Sequence, residues 1–287
     1  MRVETLPILV VVLLAICGSA QAQNLAPEPA SAESEEDHLA KEVEDPTAIL
    51  AQLQFVDLYT PRNFQSSAQT NTLQLKPIVP IRAFAWFPFA QLIRPTFKFS
   101  EIATSARSST ITEFQDMELV DLFVSNWPNP KETGFGWGIG PTFVFPTGRV
   151  SPAGNHAWEA GPAAAVGYRG IPHLTIGFLF QNFISVGYTN SSAKPQSQML
   201  FQPRISYTLG HGWYVKSSDS SWTVNWRHGG STTIPVSLGI GKVWKFEGVQ
   251  LNPFVTGEWT TYRQNTKITP MYTVRFGLTI LFPNLEI

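Results

Sequence analysis

Tyr272-Thr273-Val274-Arg275-Phe276-Gly277-Leu278-Thr279-Ile280-Leu281-Phe282 is the stretch that decides how this chain folds. Tyr272, Val274, Phe276, Leu278, Ile280 and Phe282 occupy one phase of a period of two, and Thr273, Arg275, Gly277 and Thr279 occupy the other. That alternation is a β-strand with one apolar and one polar face. A soluble sheet turns its apolar face to a core; a membrane barrel turns it to lipid. Repetition, length and the placement of charge separate the two readings.

Runs of about ten residues, the length a tilted strand needs to cross a bilayer, recur along the chain. They fall at 50–59, 71–81, 91–101, 111–125, 134–145, 157–168, 174–187, 197–209, 213–224, 232–246, 249–263 and 269–282. The connections alternate in character. Polar, longer ones lie at 60–70, 101–110, 147–156, 189–197, 227–231 and 264–267, and tighter or aromatic-flanked ones at 83–90, 127–133, 169–173, 210–212 and 247–248. Long loops at one end and short turns at the other predict an all-β fold, an up-and-down antiparallel transmembrane β-barrel over 46–287 with about twelve strands, between roughly ten and fourteen. Both termini then fall on the short-turn side, which is periplasmic in such barrels.

Aromatic residues cluster near the predicted strand ends: Trp86, Phe87, Phe89, Trp127, Trp137, Trp213, Trp244 and Phe282 at the turn end, and Tyr59, Phe145, Trp158, Trp222, Trp226, Trp259 and Tyr262 at the loop end. Amphipathic rings favour the headgroup layer, so two belts are expected. Two features disturb the regularity. Pro77, Pro95, Pro141, Pro162, Pro203, Pro235 and Pro253 fall inside runs, and each removes a ladder donor that lipid cannot replace. They belong at bulges, strand ends or the unpaired phase of the ladder. Asp121 falls on the apolar phase of Met117, Leu119 and Phe123, which predicts a bulge between Asp116 and Asp121 or an interfacial position.

The N-terminal residues read as an address. Arg2 supplies a positive start, 6–16 is an almost unbroken apolar run, and Ala20-Gln21-Ala22 is a small-x-small cleavage site, so residues 1–22 form a signal peptide cut before Gln23. The run is too short for a membrane anchor. Cys17, the only cysteine, follows the large Ile16 where a lipoprotein box wants a small residue, so it is ordinary apolar filling. The mature chain then offers neither a disulfide nor a thiolate metal site.

Residues 23–45 hold eight acids against Lys41 and no aromatic residue, which predicts an acidic tail that is disordered or at best loosely helical. From Pro46 onward eighteen Lys and Arg stand against twelve Asp and Glu, an imbalance that the whole-chain net charge of -1 hides. No run of eighteen apolar residues follows the signal, which argues against a helical membrane protein.

If the apolar phase faces lipid, the other phase lines the lumen. That inward set holds Gln52, Gln54, Gln74 and Gln181, and the candidate lumen-lining residues Lys76, Arg94, Lys98, Asp116, Glu118, Glu159, Gln202, Arg204, Glu258 and Arg275. Arg94 and Lys98 precede Asp116 and Glu118 by one strand, which predicts cross-strand pairs. Such charges either plug the lumen as structural ion pairs or line a solute path. Five inward cations against four inward acids do not predict marked anion selectivity. Eight strands enclose side chains alone and sixteen an aqueous channel, so about twelve point to a narrow small-solute channel or transporter rather than a wide porin. A plugged structural or surface-interaction barrel is the alternative.

A membrane-embedded lipid hydrolase would need a Ser and a His held together. Beyond the tail only His156, His173, His211 and His228 remain, all in predicted loops or turns and none in a nucleophile motif, so no catalytic residue is assigned and the chain reads as a non-enzyme. The histidines are isolated and the acids lack calcium-loop spacing, so no metal or cofactor is expected. Positive charge spread around a barrel predicts no nucleic-acid partner.

Local signatures carry a resemblance. Trp137-Gly138-Ile139-Gly140-Pro141 is echoed by Trp158-Glu159-Ala160-Gly161-Pro162, followed by Tyr168-Arg169-Gly170-Ile171-Pro172, Gln181-Asn182, Gly212-Trp213-Tyr214-Val215 and the terminal strand through Pro283. With Asp45-Pro46-Thr47 and Leu53-Gln54-Phe55, this ordered set resembles a family of largely uncharacterised bacterial outer-membrane β-barrels, loosely labelled transporters or phenol meta-pathway proteins. The resemblance covers nearly everything after Asp45 and implies fold and a Gram-negative outer-membrane location; the phenol label is not carried over as chemistry. The final strand also resembles the assembly signal of such proteins, with Arg275, Gly277, Ile280 and Phe282 in its places and the extension 283–287 as a departure. The partners this implies are outer-membrane lipid, the barrel-assembly machinery, periplasmic chaperones and a small solute of unidentified kind.

Overall fold

The computed structural model describes residues 34–84, 86–125, 134–191, 193–227, 229–266, 268–283 and 285. A short helix, α1 (Glu35–Glu44), precedes β1 (Ala51–Phe64), β2 (Thr70–Ile81), β3 (Ala90–Ala103), β4 (Thr110–Phe114), β5 (Met117–Val124), β6 (Phe135–Phe145), β7 (Ala157–Ile171), β8 (Leu174–Tyr188), β9 (Ser197–Gly210), β10 (Trp213–Ser217), β11 (Trp222–Asn225), β12 (Ser231–Lys242), β13 (Trp244–Phe246), β14 (Val249–Gln264) and β15 (Thr269–Phe282). β4 with β5, β10 with β11, and β12 with β13 each form one interrupted crossing strand, so the sheet closes as a twelve-stranded antiparallel barrel. Closure is the pairing of β1 with β15, from Ala51 opposite Phe282 to Tyr59 opposite Val274. It removes the free edges that hydrocarbon cannot satisfy.

The two faces are inverted relative to a soluble protein. On β15, Thr279 is 0% exposed while its neighbour Leu278 is 42% exposed. Thr142, Asn252 and Thr256 are likewise buried inside, whereas Leu73, Phe99, Ile139, Leu238 and Phe276 stand exposed outside. Exposed Trp86, Trp137, Trp213, Trp244 and Phe282 lie at the turn end, and Tyr59, Trp158, Trp226, Trp259 and Tyr262 lie toward the loop end. Trp127 and His228 are outside the described residues. Among the described residues no helix is long and apolar enough to cross a membrane.

The irregularities have local causes. Ser217 pairs with Ile205 and Trp222 with Phe201, so the stretch between β10 and β11 carries one residue more than β9 does and bulges. A similar bulge at Gln115 and Asp116 separates β4 from β5, since Phe114 pairs with Phe99 and Glu118 with Thr96. The bulge expected between Asp116 and Asp121 therefore sits just before that interval. Asp121 stays on the outward phase opposite Ile93, close to the turn-end rim of β5. Pro235 sits at a register shift, and Pro141, Pro162, Pro77 and Pro95 adjoin missing rungs.

The acidic segment requires a correction. Its last residues, expected to be disordered or loosely helical, form α1, which buries Leu39, Ala40, Val43 and Glu44. Ser34 caps the helix by accepting from Asp37 N (3.1 Å), the first-turn acids Glu35, Glu36 and Asp37 face the positive end of the helix dipole, and Lys41 lies in the last turn. These local features outweigh the composition of the segment as a whole.

The inverted faces generate a stability prediction. Leu238→Arg, in mid-strand on the outer face, should lower the unfolding free energy in lipid by about 2–4 kcal/mol, and Leu238→Val by less than about 1 kcal/mol. Urea titration in lipid vesicles checks this. Equal stability of the arginine variant would contradict a lipid-facing Leu238.

Candidate functional site

The lumen is filled in layers. At the turn end, α1 and the segment after it pack Leu39, Ala40, Val43, Ala48 and Leu50 against Tyr214, Val243 and Leu281 of the wall. Asp37 Oδ1 accepts from Gly212 N (2.7 Å) and Glu35 Oε1 from Gln250 Nε2 (3.0 Å), tying the first turn to the rim. A second apolar group, including Leu92, Val120, Leu122 and Leu179, packs with Ile49 and Ile78. The N-terminal segment is thus a plug whose apolar side completes an inner core that a twelve-stranded wall cannot fill by itself.

Charged groups lock the plug. Glu44 Oε1 lies 3.0 Å from Lys216 Nζ, and Glu44 Oε2 accepts from Ser218 Oγ at 2.7 Å. Lys216 also reaches Asp219 Oδ2 (2.8 Å) and lies 3.6 Å from the centroid of the Phe254 ring. Asp45 Oδ2 pairs with Arg169 at 2.7 Å, and its Oδ1 accepts from both Thr47 N and Thr47 Oγ1. Two glycines make room. A Cβ on Gly167 would lie 2.3 Å from Asp45 Oδ1, and one on Gly277 would lie 2.0 Å from Phe254 Cζ. Gly277, read from the sequence as part of the assembly signal, also gives the Phe254 ring its place under Lys216.

Above the plug lies a polar cavity of about 280 Å³ lined by Lys76, Arg94, Lys98, Glu118, Gln202, Arg204 and Arg275, together with Asp219. Lys98 pairs with Glu118, Arg204 faces Asp219 at 3.9 Å, and Arg94 Nη1 donates to Pro46 O of the plug segment at 3.2 Å. Gln202 Nε2 donates to Ser221 Oγ at 2.9 Å. Arg275 Nη2 lies 2.8 Å from Glu258 Oε2, which also accepts from Ser220 Oγ. A smaller polar cavity of about 150 Å³ lies toward the loop end, lined by Asp116, Glu118 and Glu159 among others. The two cavities share Glu118, Gln198 and Leu200 in their walls.

Lys76, Arg94, Lys98, Glu118, Gln202, Arg204 and Arg275 are therefore brought together around one cavity, while Asp116 and Glu159 belong to the other. Glu258 stands behind Arg275 as its partner. The cross-strand pairing expected for Arg94 and Asp116 does not form. The bulge at Asp116 lifts its carboxylate into the 147–156 loop, where it accepts from Gly148 N (2.9 Å) and Asn155 N (2.7 Å). Sequence reading missed Lys216, Asp219, Glu44, Asp45 and Arg169. Lys216 lies on the inward phase of β10 and was within reach of that pattern; Asp219 sits at the bulge, where alternation fails. His156, His173 and His211 occupy left-handed positions in loops and turns at opposite ends of the barrel. Among the described residues no group of three or more His, Cys, Asp or Glu is arranged to hold a metal ion.

Neither protein-family models nor curated proteins match this chain. Among solved structures the chain is similar to the crystal structure of an outer membrane channel from Pseudomonas putida F1, at 11% identity and a TM-score of 0.58, covering 83% of this chain and 98% of that one. The likeness is one of fold.

The plug makes its own prediction. Lys216→Met leaves Glu44 buried without its cation and Asp219 with Arg204 alone at 3.9 Å, and breaking a buried pair in this way typically costs about 3–5 kcal/mol. Amide exchange in 35–44 should accelerate sharply while β1 stays protected, and adding Glu44→Met should restore part of that protection. Unchanged exchange in the single variant would show that the ion pair does not hold the plug.

Proposed function

We propose that this protein is a narrow, plugged conduit for small solutes across the bacterial outer membrane. The observation that carries the reading is the polar mid-lumen cavity of about 280 Å³, closed toward the turn end by α1 and the residues following it. A barrel that served as a scaffold alone would gain nothing from holding Lys76 and Arg94 around a cavity; buried charge without a full set of acids disfavours folding. The family likeness noted in the sequence and the channel-like fold support the same reading.

Export through residues 1–22, with cleavage before Gln23, delivers the chain to periplasmic chaperones. The barrel-assembly machinery then reads Arg275, Gly277, Ile280 and Phe282. On this reading the turn end faces the periplasm, so the plug guards the periplasmic exit. The opposed reading, a permanently closed surface or structural barrel, draws on the tight burial of Leu39, Ala40 and Val43.

Planar-bilayer recording of the mature protein separates them. The conduit reading expects small, brief openings from the native protein, and a conductance several-fold larger and longer-lived when 34–48 are deleted. Silence from both proteins would favour the closed barrel and overturn the conduit.

A further inference from the structure

The charges around the mid-lumen cavity do not balance. Lys76, Arg94, Lys98, Arg204 and Arg275 line it against two acids, Glu118 and Asp219. Glu118 is taken by Lys98, and Asp219 is shared between Lys216 at 2.8 Å and Arg204 at 3.9 Å. Arg275 has Glu258 behind it. That pairing leaves Lys76 and Arg94 over. Among the described residues Lys76 has neither an acid within ion-pair distance nor a hydrogen-bond partner, and Arg94 bonds only Pro46 O of the plug segment. Donors are left over as well. The Nε groups of Arg204 and Arg275 are buried without a hydrogen-bond partner, and Arg275 as a whole is only 8% exposed.

The two spare cations are close enough to share one ligand. Leu75 stands opposite Phe97 and Val79 opposite Ile93, so the same register sets Ile78 opposite Arg94 and places Lys76 two residues further along the same inward face. Diagonal neighbours of that kind are within reach of long side chains. The space suits a small ligand, since about 280 Å³ lies at the low end of ligand pockets. The surroundings retain an anion once it is there. The plug closes the turn end, and the cavity toward the loop end has Asp116, Glu118 and Glu159 in its lining and no Lys or Arg. An acidic stretch of this sort opposes the passage of anions.

From this arrangement we infer that the mid-lumen cavity binds a small, free dianionic oxyanion between Lys76 and Arg94, and that the bound ion latches the plug. Two unpaired cations call for two negative charges; a monoanion leaves one of them uncompensated. Arg94 presents five N–H donors in a planar fork, so it keeps Pro46 O at 3.2 Å while turning other donors to the ion. Lys76 supplies the second charge, and the unpartnered Nε groups of Arg204 and Arg275 stand in the same lining. An ion-bound Arg94 is fixed in place, and Pro46 with it, next to the Asp45 that pairs with Arg169. With the site empty, Arg94 is a buried cation held by one neutral acceptor. Because the loop-side acids slow its escape, the ion is a resident of the closed barrel and not the solute that crosses it. The inference thus goes beyond the conduit reading and does not depend on it.

The test uses the mature protein in lipid nanodiscs, where both ends of the barrel meet solvent, with sulfate as the probe and chloride at equal ionic strength as the reference. Radiolabelled sulfate should bind saturably at about one ion per barrel, and Lys76→Met should weaken it roughly tenfold or more, the worth of one charge-assisted hydrogen bond. Amide exchange of 47–50 should be several-fold slower in sulfate than in chloride. Lys76→Met, at a residue with no bond to the plug, should erase that difference and leave the exchange in chloride as it was. The variant also subtracts the general stabilisation that sulfate gives a folded protein. Absence of saturable sulfate binding, or binding of equal strength in Lys76→Met, would overturn the site, and exchange equally slow in both salts would overturn the latch. Planar-bilayer openings in chloride alone judge the conduit reading: silence there, with sulfate still bound tightly, would sink the conduit and leave the anion site standing.

Discussion

Hydrocarbon cannot hydrogen-bond, so nearly every backbone N–H and C=O of a wall in contact with lipid must find its partner within the protein. Closure of β1 onto β15 meets that demand around the circumference. It also determines the rest. Once the ring is closed, the period-two alternation sends Phe276 and Leu278 outward and Arg275 and Thr279 inward, and the inner face accumulates polar groups that need partners of their own. The ion pairs of Arg275 with Glu258 and Lys98 with Glu118 satisfy part of that need within the wall.

The remainder is satisfied by the chain's own N-terminal segment. Lys216 and Arg169 face the lumen at the turn end, and the acids that neutralise them, Glu44 and Asp45, come from α1 and the residue after it. The same segment brings Leu39, Val43 and Leu50 to fill space that the wall leaves open. Electrostatics and packing therefore act together: withdrawing the acids takes from Lys216 its partner Glu44 and leaves it Asp219 alone, and the apolar residues cannot leave without a void. A plug held this way separates a closed turn end from a polar cavity at mid-height.

Much of the wall was legible in the sequence because β-strands in lipid announce themselves by a period of two, and each of the twelve runs coincides with one crossing strand. Asp121 and the prolines were legible as irregularities, though which prolines would open a ladder depended on register. Pro77 and Pro95 face each other only because β2 and β3 align as they do. The plug was not legible from composition, since eight acids suggested disorder; Ser34 and Asp37 at the helix start and the Leu39, Ala40, Val43 spacing were the available signal. Its partners were hidden for a different reason. Glu44 and Lys216 are separated by 172 residues, and no local pattern links them. Asp219 escaped because it sits in a bulge, where the alternation that identifies inward residues breaks down.

The account stands on the orientation of the two faces, and β15 tests it most directly. Cysteines introduced singly at Thr273, Val274, Phe276, Leu278 and Thr279 of the mature chain can each carry a fluorophore in vesicles containing brominated lipid. Strong quenching at Val274, Phe276 and Leu278, with little at Thr273 and Thr279, is the predicted result. Quenching without alternation, or strongest at Thr273 and Thr279, would contradict it.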